Sequence, residues 1–391
     1  MNKTFLTLAL ACLTGIAAHA QYSGNGYYRI KNATTERYMS LCDNKSTGVS
    51  MVSTTVDAGA LVTKRNTDEI LTDPGSVFYI YNVSDNQYNI SAQGHELYNI
   101  IHYYIRLTAL NDGTYRAWQI DQSQPLWLSD RNTNPTADQS YVDTKTSDTQ
   151  RWYIMPVNES DNYIGVNPIF ECNGKYYATF FAEFPFSFVS SGMRAFYING
   201  LQDNGIATYK YINGIVPAKT PVIIECSSQS PADNKLKIES SSPAAITDNL
   251  LTGVYFGMGV RASDHFNSTP FDATTMRVLG MASDGSLAIN SEDTYMADIM
   301  AKEGTTYNYT YPTIKAIPHN TAYVSVDADT PAVLKLFEEG NVDGIEDISA
   351  DDSASADIYA LDGTLVRKNA SSMEGLPHGI YLYKGRKVVV R

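Results

Sequence analysis

Cysteine, histidine and long apolar stretches are all scarce in this chain, and each shortage closes a class of function. Only four of the 391 residues are cysteine. Cys12 lies in an apolar leader, which leaves Cys42, Cys172 and Cys226 to an exported chain. Three thiols close at most one bridge, so a disulfide-built scaffold is excluded. Cys172–Cys226 is the candidate pair; buried free thiols acting as small hydrophobes are the alternative. Histidines 95, 102, 265, 319 and 378 form no His-x-His or His-Glu-x-x-His pattern. No single element is therefore set to hold zinc, and no metal or cofactor is expected. Nucleophile-elbow, P-loop and dinucleotide glycine patterns are also missing, which points away from an enzyme. A glycosidase carboxylate pair, drawn from distant strands, is the remaining enzymatic alternative.

Positive charge is short as well. The chain has 29 Lys and Arg against 42 Asp and Glu, a net charge of −13. A diffuse negative field repels phosphate backbones and anionic lipid, so neither nucleic acid nor a membrane surface is an expected partner. After the leader, no run reaches the roughly 20 apolar residues of a spanning helix.

What is present begins with that leader. Lys3 precedes the apolar run Phe5 to Ala17, and Ala18-His19-Ala20 offers the small residues of a cleavage site. Residues 1–20 thus read as a signal peptide, with the mature chain starting at Gln21. A lipoprotein signal centred on Cys12 is the weaker alternative. Aromatics are abundant, with 28 Tyr, while charged residues make up only 18%. That balance suits β-sheets with many half-buried tyrosines, and the fold class expected is all-β.

An aromatic-x-Ile step recurs at Tyr28-Arg29-Ile30, Phe78-Tyr79-Ile80, Trp118-Gln119-Ile120 and Trp152-Tyr153-Ile154. Alternate strand residues share a face, so each step is expected to place its aromatic and its isoleucine in a core. A polar turn and a second strand follow each step, at Tyr38–Leu41, Tyr88–Ser91, Leu126–Ser129 and Tyr163–Val166. Three such intervals closed by a fourth strand fit a β-trefoil over residues 21–156. Gln150-Arg151-Trp152 resembles the Gln-x-Trp signature of ricin-type β-trefoil lectins. The resemblance implies glycan or surface polysaccharide as partner, held by an aspartate after the second strand and by an aromatic stacked on the sugar. Asp43 and Asp130 occupy the corresponding places, with Asn132 and Tyr141 completing the Asp130 site; the second unit has Ala92 there instead. Trp152 reads as core. An aspartate after a strand also serves as a plain turn residue, and that reading stands beside the functional one.

Residues 157–340 stay β-rich without the trefoil spacing and read as a β-sandwich-like domain. The segment Ile215–Ile223 returns about a hundred residues later as Ala316–Val324, a proline-started turn feeding an apolar strand. With Ala178-Thr179-Phe180 and Asn249–Gly253, the arrangement resembles a sandwich module of proteins exported by type IX secretion. Residues 341–356 are acidic and rich in Ser and Ala, and read as a linker. Residues 357–391 hold two hairpins, around Asp362-Gly363 and Lys384-Gly385-Arg386. Together with Gly375–Tyr381 and the basic, valine-rich end, they resemble a type IX C-terminal sorting domain, a small Ig-like β unit. That resemblance implies secretion machinery as a partner and a secreted or cell-surface location; without it, the leader alone delivers the chain to the periplasm. The function expected is carbohydrate binding through the trefoil. A structural or adhesive surface protein is the second reading, and a carbohydrate-active enzyme or its accessory the third.

Overall fold

The computed structural model describes residues 22–42, 50–52, 58–96, 105–121, 124–144, 148–158, 160–255, 269–300, 303–305, 308–340, 356–360, 363–383 and 386–390. Among them the chain is all-β, with strands throughout, one short α-helix and two 3-10 turns. No helix among them is long and apolar enough to cross a membrane. The expected linker falls almost wholly outside the described residues.

The first region contains β1 (Gly26–Asn32), β2 (Tyr38–Cys42), β3 (Ser50–Val52) and β4 (Ala58–Lys64). The helix α1 (Thr67–Thr72) is capped by Asn66, whose side chain accepts from the amides of Asp68 and Glu69. Then come β5 (Phe78–Ser84), β6 (Gln87–Ala92), β7 (His95–Glu96), β8 (Ile105–Ala109) and β9 (Tyr115–Asp121). The region ends with β10 (Gln124–Trp127), β11 (Ser129–Asp130), β12 (Gln139–Asp143) and β13 (Trp152–Pro156). Antiparallel pairing runs β1–β5–β6–β8–β9–β13 and returns to β1. Six strands thereby close a barrel, which leaves no open edge in the ring. The three sequence intervals contribute one, three and two strands to that ring, where a strict three-fold barrel would take two from each.

The barrel fills as strand alternation dictates. Tyr28 and Ile30, Phe78 and Ile80, Ile105 and Leu107, and Trp152 and Ile154 all point inward. Burying each such side chain stabilises the fold by about 1.5–3 kcal/mol. On β9, however, the inward residues are Tyr115 and Ala117, and Trp118 is half-exposed. The expectation that Trp118 sits in the core is therefore wrong. Tyr115 and Trp118 differ by an odd number of positions, so a strand can bury only one of them. The second strand expected at Tyr163–Val166 is present as Ile164–Gly165, and it pairs with Leu236 and Lys235 of the middle region rather than with the barrel.

The middle region holds β14 (Ile164–Gly165), β15 (Phe170–Cys172), β16 (Lys175–Phe180), β17 (Phe186–Phe188), β18 (Arg194–Gln202) and β19 (Ile206–Ile212). It continues with β20 (Val222–Cys226), β21 (Lys235–Ile238), β22 (Leu251–Gly253), β23 (Met276–Met281) and β24 (Leu287–Asn290). Two small hairpin sheets lie within it: β25 (Ala297–Met300) pairs with β28 (Thr313–Ala316), and β26 (Glu303–Thr305) with β27 (Asn308–Thr310). The region closes on β29 (Ala322–Ser325) and β30 (Val333–Glu338). A ten-stranded sheet runs β15-β16-β20-β18-β19-β30-β24-β23-β29-β22, and β14-β21-β17 form a three-stranded one.

Every residue of β20 is buried. Val222, Ile224 and Cys226 pack with Ile164, Phe186 and Leu236 of the small sheet, while Ile223 packs with Phe196, Leu279, Val324 and Leu334. Cys172 lies in that second cluster. Its separation from Cys226 onto the other face of the sheet is why the candidate Cys172–Cys226 disulfide does not form; both are buried free thiols, the alternative reading. The repeated proline turns are alike in backbone as well as sequence. Lys219 and Asn320, each two residues after the proline, hold φ of 58° and 56°, a left-handed conformation uncommon outside glycine.

Barrel and middle region interlock. Val77 and Tyr27 of the barrel join the core formed by Ala178, Phe184 and Ile224. The fully buried Arg29 donates to Asn162 Oδ1 and to the Tyr163 carbonyl, both at 2.7 Å. Burial pulls its guanidinium down to about 10. Gln93 Nε2 donates to Asn320 Oδ1 at 2.6 Å, and Gln93 Oε1 accepts from the Glu183 amide at 2.9 Å. The C-terminal unit, β31 (Ala356–Ala360), β32 (Leu365–Ala370), β33 (Gly379–Tyr383) and β34 (Arg386–Val390), is one antiparallel sheet ordered β32-β31-β33-β34. Ile358, Tyr381, Tyr383 and Val388 form its core.

Candidate functional site

Asp130, the residue on which the lectin resemblance turns, is fully buried. Arg37, equally buried, pairs with its Oδ2 at 2.8 Å through Nη2 and 2.9 Å through Nε. The Thr35 hydroxyl donates to the same oxygen at 2.6 Å. Arg37 also donates to the carbonyls of Asn134 and Ala137, each at 2.9 Å, and to that of Asn132. The guanidinium thus staples the 132–137 loop over the carboxylate. A planar fork of five donors suits this task, since it serves a carboxylate and several carbonyls at once.

The exposed sugar site expected at Asp130 is accordingly not formed. Tyr141 is buried against Cys42 and Val62, with no partner for its hydroxyl among the described residues. Asn132 is exposed, but its side-chain oxygen accepts from the Asn134 amide at 3.0 Å. Asp43 lies outside the described residues. Gln150 is buried, and Trp152 lies in the barrel core, where its indole donates to the Leu128 carbonyl at 2.9 Å.

Where the expected site closes, another surface is open. Trp118 on β9 stands directly opposite Trp127 on β10 and opposite Arg106 on β8. The two indoles are half-exposed, with ring centroids 5.5 Å apart and planes 46° apart. Arg106 lies over the Trp118 ring at 5.4 Å and Arg116 over the Trp127 ring at 5.5 Å. The Trp118 indole donates to the exposed Thr108 hydroxyl at 3.2 Å, which fixes the ring. Two adjacent barrel strands and β10, which pairs onto β9, therefore present a ladder of two aromatics and two guanidinium groups on one outward face. Guanidinium and indole attract each other through the ring quadrupole, and the pairing holds positive charge at the surface of a strongly acidic chain.

The signal for this surface was in the sequence. Trp118 and Trp127 flank a tight connection, so they meet across a hairpin whichever face they take. What the sequence left open was the face. Among the described residues, no cluster of His, Cys, Asp and Glu is arranged to hold a metal ion. No protein-family model matches the chain, and no curated protein is significantly similar to it.

Proposed function

We propose that this chain is an exported, non-catalytic carbohydrate-binding protein whose contact surface is the Trp118–Trp127 platform. The observation that carries the reading is the half-exposed tryptophan pair flanked by Arg106 and Arg116. Indole faces cover the apolar face of a pyranose, and the two guanidinium groups select sugars that bear carboxylates, which they bind in bidentate fashion. Acidic polysaccharide is therefore the preferred ligand class. Export rests on the leader of residues 1–20 and on the likeness of residues 357–391 to a sorting domain, through which the secretion machinery would take the chain to the cell surface.

The test is a glycan array probed with the mature chain, beside its Trp118→Ala and Trp127→Ala variants. Binding to uronate-containing glycans that both variants lose supports the reading; equal signals from all three overturn it. Deletion of residues 357–391 tests the tail, since cells lacking it should retain the protein in the periplasm.

A structural or adhesive surface role is the second reading. The C-terminal sheet favours it, because Tyr359, Leu365, Val366 and Ile380 are all exposed on it.

A further inference from the structure

We propose that a hollow on the β23–β24–β30 face of the large sheet is a second binding site, for a small organic cation with an apolar body. Alternation along these strands divides their side chains between two faces. Leu279, Ile289, Leu334 and Leu336 enter the core of the large sheet. Gly280, Asn290, Val333, Lys335 and Phe337 fall on the opposite face, where Val278 packs with Met296 and Ile317. Past that cover the face is open and concave. The hollow has a volume of about 970 Å³, at the upper end of the range for small-molecule sites.

The concavity follows from the residues of one row. Gly280, Ala288 and Lys335 stand opposite one another across the three strands, and the first two raise almost no side chain above the sheet. Glycine is required at 280, because a Cβ there would lie 2.5 Å from Asn290 Nδ2. Ile206, Val333 and Phe337, all half-buried, supply apolar surface, and Tyr295 bounds the covered side. Met281 stands at the margin, 44% exposed, and its flexible thioether adapts to ligands of different shape.

Charge gives the ligand its sign. Lys335 and Glu292 both border the hollow. The Lys335 ammonium is already paired with Asp284. Glu292 is exposed, and its carboxylate has no partner among the described residues. Its place is nonetheless set: its amide donates to the buried Asn290 Oδ1 at 3.1 Å, and the Ser291 amide to the Ala332 carbonyl at 2.9 Å. An unspent carboxylate beside apolar surface attracts a cation with an apolar body and repels an anion of the same shape. The net charge of −13 works in the same direction.

The mature chain is titrated by calorimetry with tryptamine, phenethylamine and octylamine. Each is compared with a carboxylate of matching skeleton: indole-3-propionate, 3-phenylpropionate and octanoate. At least one amine should bind saturably, and more tightly than its carboxylate. Glu292→Gln should weaken that amine roughly three- to five-fold, the worth of one exposed ion pair. Because no protein contact is lost, its Tm without ligand should match that of wild type. Glu292→Lys should reverse the order, so that the carboxylate binds better than the amine. Phe337→Ala should weaken both. The same series in Trp118→Ala removes the tryptophan platform, and the preference for amines should persist there. Failure of all three amines to bind wild type overturns the proposal. So does an amine affinity left unchanged by Phe337→Ala or by both Glu292 variants, or one that only Trp118→Ala removes.

Discussion

Two parts of the first region treat their side chains in opposite ways. At the β11–β12 corner a carboxylate and a guanidinium are sealed from water, while on β9 and β10 two tryptophans are left outside. Burial of a charge demands partners; Asp130 Oδ2 finds them in Arg37 and the Thr35 hydroxyl, and Arg37 reaches on into the loop that follows Asp130. Exposure of an indole demands none, and it leaves a ring face free for something else. The polar group that looked functional is therefore structural, and the aromatic that looked structural is the better candidate for function.

Breaking the buried side of this contrast should have the largest effect. Asp130→Ala leaves Arg37 charged and buried, which should cost about 3–5 kcal/mol in urea unfolding. The double replacement Arg37→Met with Asp130→Leu should recover much of that loss, because an apolar pair of similar volume needs no counter-charge. If the single variant loses less than 1 kcal/mol, the ion pair is not the staple described above.

The exposed side should respond in the other coin of measurement. Trp118→Ala should lower glycan affinity roughly ten-fold, in line with the worth of an aromatic contact. Its unfolding free energy should fall by no more than about 1 kcal/mol, since the ring is packed on one side only. Equal losses of stability and affinity would place Trp118 with the core instead.

A smaller effect sharpens the inside–outside contrast through pH. Burial pushes the Cys226 thiol from its ordinary 9.0 up to about 12, helped by Glu225, and it pushes the Tyr27 phenol from 10.0 to about 12, helped by Tyr79. Both folded values are raised, so the folded chain keeps protons that the unfolded chain releases. Stability from these groups is fully present below about pH 9 and is lost as pH climbs towards 12. Thermal melts across that window should show the decline, and Cys226→Ala should flatten its lower part. The smallest effect expected is none at all. With Cys172 and Cys226 on opposite faces of a sheet, a thiol reductant should leave the Tm unchanged, and a shift of several degrees would point to a bridge.

How far the sequence could be read follows from the range of each interaction. Phe78 with Ile80 and Trp152 with Ile154 declare their strands through neighbours two positions apart, and period-two alternation is a local signal. The proline turns at Pro217 and Pro318 could be matched because backbone demand shaped both in the same way. Asp130 could not be read, because its partner lies 93 residues earlier in the chain. Even there a clue existed: Arg37 is in phase with Met39 and Leu41, both core residues, so its alternation already placed it inside. Trp118 failed for the opposite reason. Tyr115 and Trp118 gave β9 an aromatic in either phase, and only packing chose between them.

Arg29 carries one more consequence, for how this protein comes apart. Its strand belongs to the barrel, yet two of its hydrogen bonds end on Asn162 and Tyr163, just beyond the last barrel strand. A gene cut after Pro156 would yield a fragment in which Arg29 keeps Ser76 Oγ and the Ile70 carbonyl but loses its two shortest acceptors, and in which Val77 is uncovered. Barrel and middle region should consequently melt in a single cooperative transition and share their slowest-exchanging amides. The border visible in the sequence is thus a change of pattern along the chain, and the folding unit runs straight through it.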